Sequence, residues 1–416
     1  MDSTKKIKDG LKNGAYDEQL MYLYSCEKND AQHYADRYLE VIDGFEKTFG
    51  ASDEIGLFSA PGRTEIGGNH TAHQHGCVLA GSVNLDVIAA VALNGTNQIR
   101  IHSKGYPMDV IDLDDLDVKE TQYDKAISLI RGVTRKFADL GYELKGFDAY
   151  TISNVLKGSG LSSSAAFEVL VGTIINGLFA NGEVSAVDIA KFGQYAENVY
   201  FGKPSGLMDQ MASSVGNLIF IDFADVKNPV IKKVNVNFED FDHSLCIIDT
   251  KGSHADLTDE YAAIPEEMKK VAAYFGKEVL HQIDKNEFYI HIPEIRKVAG
   301  DRAVLRAMHW FEETDRVIDQ VNALEKEDFE GFKSLIKASG DSSFKYLQNV
   351  YSVKNLSRQE MAVGLAFSDV ILKGRGVSRV HGGGFAGTIQ AFVPNDIVDI
   401  YKKNMEDIFG QDACQI

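Results

Sequence analysis

Apolar residues recur every three or four positions at Tyr34, Tyr38, Leu39, Ile42, Phe45 and Phe49, the period of a helix with one buried face. An amphipathic helix is therefore predicted from Asp30 to Phe49, with Gly50 as its stop. Ahead of it, Met1 to Asn29 is polar, of mixed charge and weakly patterned, and reads as an appendage. Ile55 to Ala60 reads as a short strand. Asn84 to Leu93 is an apolar, β-branched strand and Asn97 to His102 an alternating one; Asn94-Gly95 between them is a strong hairpin signal, so antiparallel pairing is expected. The acidic Asp109 to Glu120 reads as a surface excursion, Ala126 to Leu140 as a helix stopped by Gly141, and Phe147 to Val155 as a strand. Helices follow over Ala165 to Ala180 and Val184 to Tyr200, then strands over Asn217 to Phe223 and Ser244 to Asp249, with a second domain beginning near Ala224. That half is helix-rich: one helix starts near Leu257, and others cover Arg296 to Leu324, Phe329 to Tyr351 and Arg358 to Leu372. Gly376 to Val380, a glycine run and Thr388 to Val393 read strand, loop, strand, and Ile397 to Phe409 closes as a helix. There is no internal repeat.

Composition narrows this picture. A chain of 416 residues suggests two or three domains. No window approaches the roughly 18 apolar residues of a membrane span, and the basic N-terminus leads into polar residues rather than a secretory core. A cytoplasmic location is the expectation. Cys26, Cys77, Cys246 and Cys414 lie far apart with no C-x-x-C, which suits reduced structural thiols. A formal charge of −18 argues against nucleic acid as a partner. It leaves room for a small anion, which needs only local donors and a cation in one cleft.

Three stretches carry candidate chemistry. In Lys157-Gly158-Ser159-Gly160-Leu161-Ser162-Ser163-Ser164, between a strand and a helix start, glycines free the backbone to turn amide N–H groups toward an anion, and the serines add hydroxyls for phosphate or magnesium. The plainer reading is a serine N-cap. It is not a Walker loop, because the defining lysine is missing. Pro61 to Gly76 is dense in polar groups, with Gly67 and Gly68 giving the backbone room. His70, His73 and His75 invite a zinc reading, but their H-x-x-H-x-H spacing completes no known ligand set; a loop bonding a hydroxyl-rich ligand fits better, with a solvated loop as the alternative. Asp209 stands in an otherwise apolar, small-residue segment that opens a helix. A charge there needs a partner or a task, or else caps the helix.

Taken together, P-G-R-x-x-I-G at Pro61 to Gly67, one residue short between Arg63 and Ile66, G-x-G-L-S-S-S-A-A at Gly158 to Ala166, G-L-M-D-Q at Gly206 to Gln210 and G-G-G-F-x-G at Gly382 to Gly387 resemble the galactokinase branch of the GHMP kinase superfamily. The likeness runs from about Asp30 to the C-terminus. It implies an α+β, two-domain GHMP kinase fold: residues 30–223 as a ribosomal-protein-S5-like N-terminal domain, residues 224–416 as a ferredoxin-like C-terminal domain, and residues 1–29 outside both. It further implies ATP-dependent phosphorylation of a monosaccharide at its anomeric hydroxyl, by a monomer or homodimer that binds sugar, ATP and Mg2+ but neither nucleic acid nor membrane. By the same resemblance, Lys157 to Ser164 hold the triphosphate and Ser163 with Glu197 the magnesium. Asp209 accepts or orients the sugar proton, beside Arg63. Asn69, His70, Ala72, Gly206, Asp209, Tyr261, Gly383 and Gly384 line the sugar.

The chain also departs from the family. Galactokinases usually read G-E-H-T-D where this chain has Gly68-Asn69-His70-Thr71-Ala72, so two carboxylates that would bond sugar hydroxyls are gone. Losing one such bond typically costs a few kcal/mol unless His73, Gln74 or His75 substitutes. The arginine pair that commonly follows the family tyrosine is replaced by Ala262-Ala263-Ile264-Pro265. A pocket with two fewer negative groups would tolerate an anionic sugar such as galacturonate beside galactose. The competing readings are a non-catalytic sugar sensor and a GHMP kinase for a non-sugar alcohol.

Overall fold

The computed structural model describes residues 1–155, 160–253 and 257–416. Lys157, Gly158 and Ser159 lie outside the described residues. The chain divides into two compact units that are discontinuous in sequence: Met1–Arg63, Ser82–Lys157 and Leu161–Gly216 form one, and Thr64–Gly81, Gly158–Gly160 and Asn217–Ile416 the other.

The first unit begins with β1 (Asp2–Ser3), α1 (Thr4–Lys12), α2 (Asp17–Tyr24) and α3 (Lys28–Phe49). It continues through β2 (Glu54–Gly67), β3 (Cys77–Leu93), β4 (Gln98–Ser103), β5 (Met108–Asp112), α4 (Ala126–Asp139), β6 (Phe147–Ser153), α5 (Ser163–Phe179), α6 (Ala186–Tyr195) and α7 (Met208–Val215). β2 and β3 lend residues to both units.

The expected hairpin at Asn94-Gly95 does not form. β3 pairs antiparallel with β6, β6 lies parallel to β4, and the hairpin joins β4 to β5. The turn signal is local, whereas the strand that fills the gap comes from some fifty residues further on. Asn94 instead shapes the loop, its amide donating to Gln98 O at 3.0 Å and Asp148 Oδ1 at 2.8 Å. The acidic stretch from Asp109 likewise starts as a strand, because Ile111 pairs with Ile99 and is buried.

Residues 1–29 are not peripheral. Ile7, Leu11, Leu20 and Tyr24 share one apolar core with Ala35, Tyr38, Ile42, Ile55 and Ile88. The Tyr24 hydroxyl donates to buried Asp86 at 2.6 Å, and Arg37 pairs with the same carboxylate at 2.8 Å. α1 carries only Ile7 and Leu11 as large apolar residues, and the apolar residues of α2 run together from Leu20 to Tyr24, so neither gives a clear helical stripe in the sequence.

The second unit contains β7 (Leu218–Asp222), β8 (Val230–Val234), β9 (His243–Asp249), α8 (Thr258–Tyr274), α9 (Lys285–Ile290), α10 (Ile292–Ala299), α11 (Asp301–Glu325), α12 (Phe329–Ser342), α13 (Glu360–Leu372), β10 (Val377–His381), β11 (Thr388–Pro394), α14 (Val398–Phe409) and β12 (Cys414–Gln415). Four strands form an antiparallel sheet in the order β10-β11-β9-β12. β11 is buried along its whole length, the polar Thr388 and Gln390 included. The helix predicted from Arg296 to Leu324 is two helices, parted at Gly300. The fold is mixed α+β, as expected. Among the described residues no helix is long and apolar enough to cross a membrane, and all four cysteines are free thiols.

Candidate active site

In the first unit the conspicuous acid finds its partners. Asp209 is the second residue of α7, but it caps nothing. Its Oδ1 accepts from Arg63 Nε at 2.8 Å and its Oδ2 from the Ser162 hydroxyl. Arg63 is anchored on β2, its backbone N–H donating to Leu161 O at 3.0 Å. Loss of water works against the carboxylate, yet the Arg63 charge and the hydrogen bonds from Arg63 and Ser162 outweigh it, so Asp209 sits below its ordinary value. Its side chain is 34% exposed against 8% for Arg63, so the acid is reachable and the guanidinium behind it is fixed. Ser162 occupies the N-cap position of α5 in a left-handed conformation, and its hydroxyl is spent on Asp209 rather than on the helix. The plain capping reading therefore fails for both residues.

A second acidic group adjoins the first. α6 runs into a π-type turn, Ala196–Phe201, that presents Glu197, and wide turns of this kind commonly mark functional positions. Glu197 Oε1 faces the Ser164 hydroxyl at 3.5 Å and Lys203 Nζ at 2.8 Å, while Oε2 accepts from Gln210 Nε2 at 2.9 Å. The same Gln210 Nε2 donates to Glu168 Oε2 at 2.9 Å. Glu168 is fully buried on α5, and burial together with the nearby Glu197 charge pushes its carboxyl well above the usual range. Neither Glu168 Oε1 nor Gln210 Oε1 has a hydrogen-bond partner among the described residues. Gly193 on α6 lets this cluster close up: a Cβ there would meet Gln210 Cγ and Glu168 Oε2, each at 3.1 Å.

Sequence reasoning passed over Glu168, Gln210 and Lys203. The signal for Glu168 was available, since it is a lone acid in an apolar helix, the argument already applied to Asp209. Of the cradle serines, Ser162 bonds Asp209 and Ser164 faces Glu197.

The second unit holds the polar loop. Asn69 is wholly buried and fully used: its amide donates to Glu65 Oε1 at 3.0 Å and Gly382 O at 2.6 Å, and its oxygen accepts from Asn349 at 2.8 Å. Buried Arg379 pairs with Glu65 at 2.9 Å. His70 Nε2 bonds Gly383 O at 3.0 Å, and the Tyr261 hydroxyl donates to Gly384 O at 2.9 Å. The loop and α8 therefore both hold the glycine run. Gly384 has no alternative residue: its φ is +82°, and a Cβ would lie 2.1 Å from Asn349 O. Gly206 meets no such crowding, and Gly160 packs near Thr388 and His381.

Among the three residues that stand near the missing acids, Gln74 is committed, its oxygen accepting from Leu280 N–H at 3.1 Å. His73 is not: both ring nitrogens are buried and lack a hydrogen-bond partner among the described residues. Burial, helped by His70 and Lys269, lowers its value to about 3, and burial lowers that of His70 to about 4. Both imidazoles are neutral at physiological pH. Among the described residues no group of three or more His, Cys, Asp or Glu could hold a metal ion.

Comparison with solved structures places this fold. It matches Lactococcus lactis galactokinase complexed with galactose at a TM-score of 0.76, covering 91% of this chain and 96% of that one at 23% identity. It matches Methanococcus jannaschii mevalonate kinase at 0.60, covering 88% and 98% at 15% identity. Residues 128–217 fit the family description of the GHMP kinases N terminal domain; fold and site together define a kinase of the GHMP class. Residues 43–93 match the galactokinase galactose-binding signature. The galactokinase of Glaesserella parasuis is 30% identical over 363 residues, 86% of this chain and 90% of that protein, and the one from Lacticaseibacillus casei is 30% identical over 392 residues, 90% and 95%. The chain belongs to the galactokinase family of ATP-dependent sugar kinases.

Proposed function

We propose that this protein transfers the γ-phosphoryl group of ATP to the anomeric hydroxyl of a galacto-configured monosaccharide. The observation that carries the reading is the Arg63–Asp209–Ser162 set, a reachable acid held ionised by a buried guanidinium. Asp209 accepts the hydrogen bond of the sugar hydroxyl and takes its proton as the phosphoryl group moves. A carboxylate held below its ordinary value is a weak base, so its main contribution is orientation and charge, which suits a loose transition state. Arg63 keeps that charge in place.

The residues fit a magnesium ion. Ser164 Oγ and the Glu197 carboxylate are hard oxygen donors 3.5 Å apart, and the unpartnered Glu168 and Gln210 oxygens leave this corner incompletely satisfied by protein alone. Ser164 and Glu197 would hold it, and Ser163 offers a second hydroxyl. When bound, the ion would offset the negative charge of the nucleotide phosphates.

On the sugar side, Asn69 has no free hydrogen-bonding group and Ala72 offers none, which removes both acids that the family usually supplies. Neutral His73, able to donate from one nitrogen and accept at the other, is the replacement we assign. Such a lining repels a carboxylate less than two acids would, so galacturonate belongs beside galactose as a substrate. The test is ADP release from Mg-ATP with galactose, N-acetylgalactosamine, galacturonate, glucuronate and glucose, with Asp209→Asn as control. Sugar-dependent turnover that the control cuts is expected; ADP release indifferent to every sugar overturns the reading, and galactose turnover far above that on galacturonate removes the uronate.

A further inference from the structure

Glu197 Oε1, the oxygen that faces the Ser164 hydroxyl, is covered by an ammonium. Lys203 Nζ sits 2.8 Å from it, and the lysine is 58% exposed while the glutamate is 4% exposed. The cation thus reaches in from solvent to a buried carboxylate. Its backbone is fixed beside the same residue, because Lys203 N–H donates to Glu197 O at 3.1 Å across the turn at Gly202. The other Glu197 oxygen is already taken by Gln210, which also bridges to Glu168.

We propose that Lys203 is the resident counter-ion of Glu197 and holds the divalent cation's place on Glu197 Oε1 until the metal arrives. This rests on reading Glu197 as a metal ligand. Without a cation at that point, a buried carboxylate would face a second buried carboxyl through one shared amide, an arrangement that is strongly destabilising in general. Lys203 removes that cost in the nucleotide-free protein, and a free metal ion must displace a tethered competitor. Nucleotide phosphates give the lysine another anion to face, so the exchange is easier when metal and nucleotide arrive together.

The test is a titration of the nucleotide-free protein with Mg2+, followed by thermal unfolding, for the wild type, Lys203→Met and Lys203→Arg. Lys203→Met should melt lower than wild type without metal, gain more from Mg2+, and reach half-effect at about tenfold lower Mg2+; Lys203→Arg should stay close to wild type. A Lys203→Met protein that melts and titrates like wild type overturns the proposal. Glu197→Gln separates the two layers. If it leaves the Mg2+ requirement of ADP release unchanged, the reading of Glu197 as a ligand fails and the proposal with it. If it raises that requirement while Lys203→Met titrates like wild type, only the role of Lys203 fails.

Discussion

The first unit gathers charge and the second removes it. Around Asp209 and Glu197 two cations, two ionisable acids and a buried glutamate lie in two neighbouring hydrogen-bonded sets. Around Asn69 the buried acids Glu65 and Glu313 are each paired with an arginine, Arg379 and Arg316, His70 and His73 are neutral, and several bonds end on backbone carbonyls of the glycine run. The difference follows the chemistry each is suited to. Moving a phosphoryl group requires fixed charges where charge develops, whereas a hydroxyl-rich ligand can be held by a rigid shape and neutral groups that donate and accept.

The sharpest way to break that contrast is to remove the charge. Asp209→Asn should lower sugar-dependent ADP release by about 10²–10⁴-fold while the melting temperature stays near wild type; a small loss would mean that the first unit's charge is structural. Next in size is shape. Gly384→Ala forces a Cβ onto Asn349 O in a left-handed conformation, and should cost about 2–4 kcal/mol by denaturant unfolding. Neutrality is tested by pH. His70 and His73 bind protons at about 4 and about 3 when folded, against 6.5 unfolded. The unfolded chain therefore takes protons first, and stability that is complete above about pH 6.5 is lost as pH falls toward 4 and 3. His73→Gln should flatten that acid limb in a melting profile, and an unchanged slope would show that His73 is not held neutral. The mildest probe is Gly193→Ala. Better helix propensity of about 1 kcal/mol offsets the crowding of Gln210 and Glu168, so stability should hardly move while ADP release falls a few-fold as Gln210 shifts.

Residues 1–29 and the chain after Asn94 show where reading the sequence ran short. Two large apolar residues in α1 and a contiguous apolar run in α2 are poor markers of a helical stripe, and a turn signal at Asn94-Gly95 names a turn without naming the strand's partner. Glu168 shows a different gap: its lone charge was visible, but its neighbours Glu197 and Gln210 lie 29 and 42 residues away.

By itself the sequence determined the strongly periodic helix ending at Phe49, the strands Ser244 to Asp249 and Thr388 to Val393, and the motifs that contain Arg63 and Asp209, whose family resemblance in turn implied the mixed α+β class and pointed to Glu197 and Tyr261. Those are local properties, set by side-chain period and by residue types that only a demanding backbone or a partnered charge retains. Tertiary structure alone decided that Ser162 serves Asp209 instead of capping its helix, that Asn69 is consumed inside the fold and His73 left with unused nitrogens, and that Lys203 covers Glu197. Each depends on which distant groups meet at hydrogen-bond distance, and that is fixed only when burial has chosen the partners.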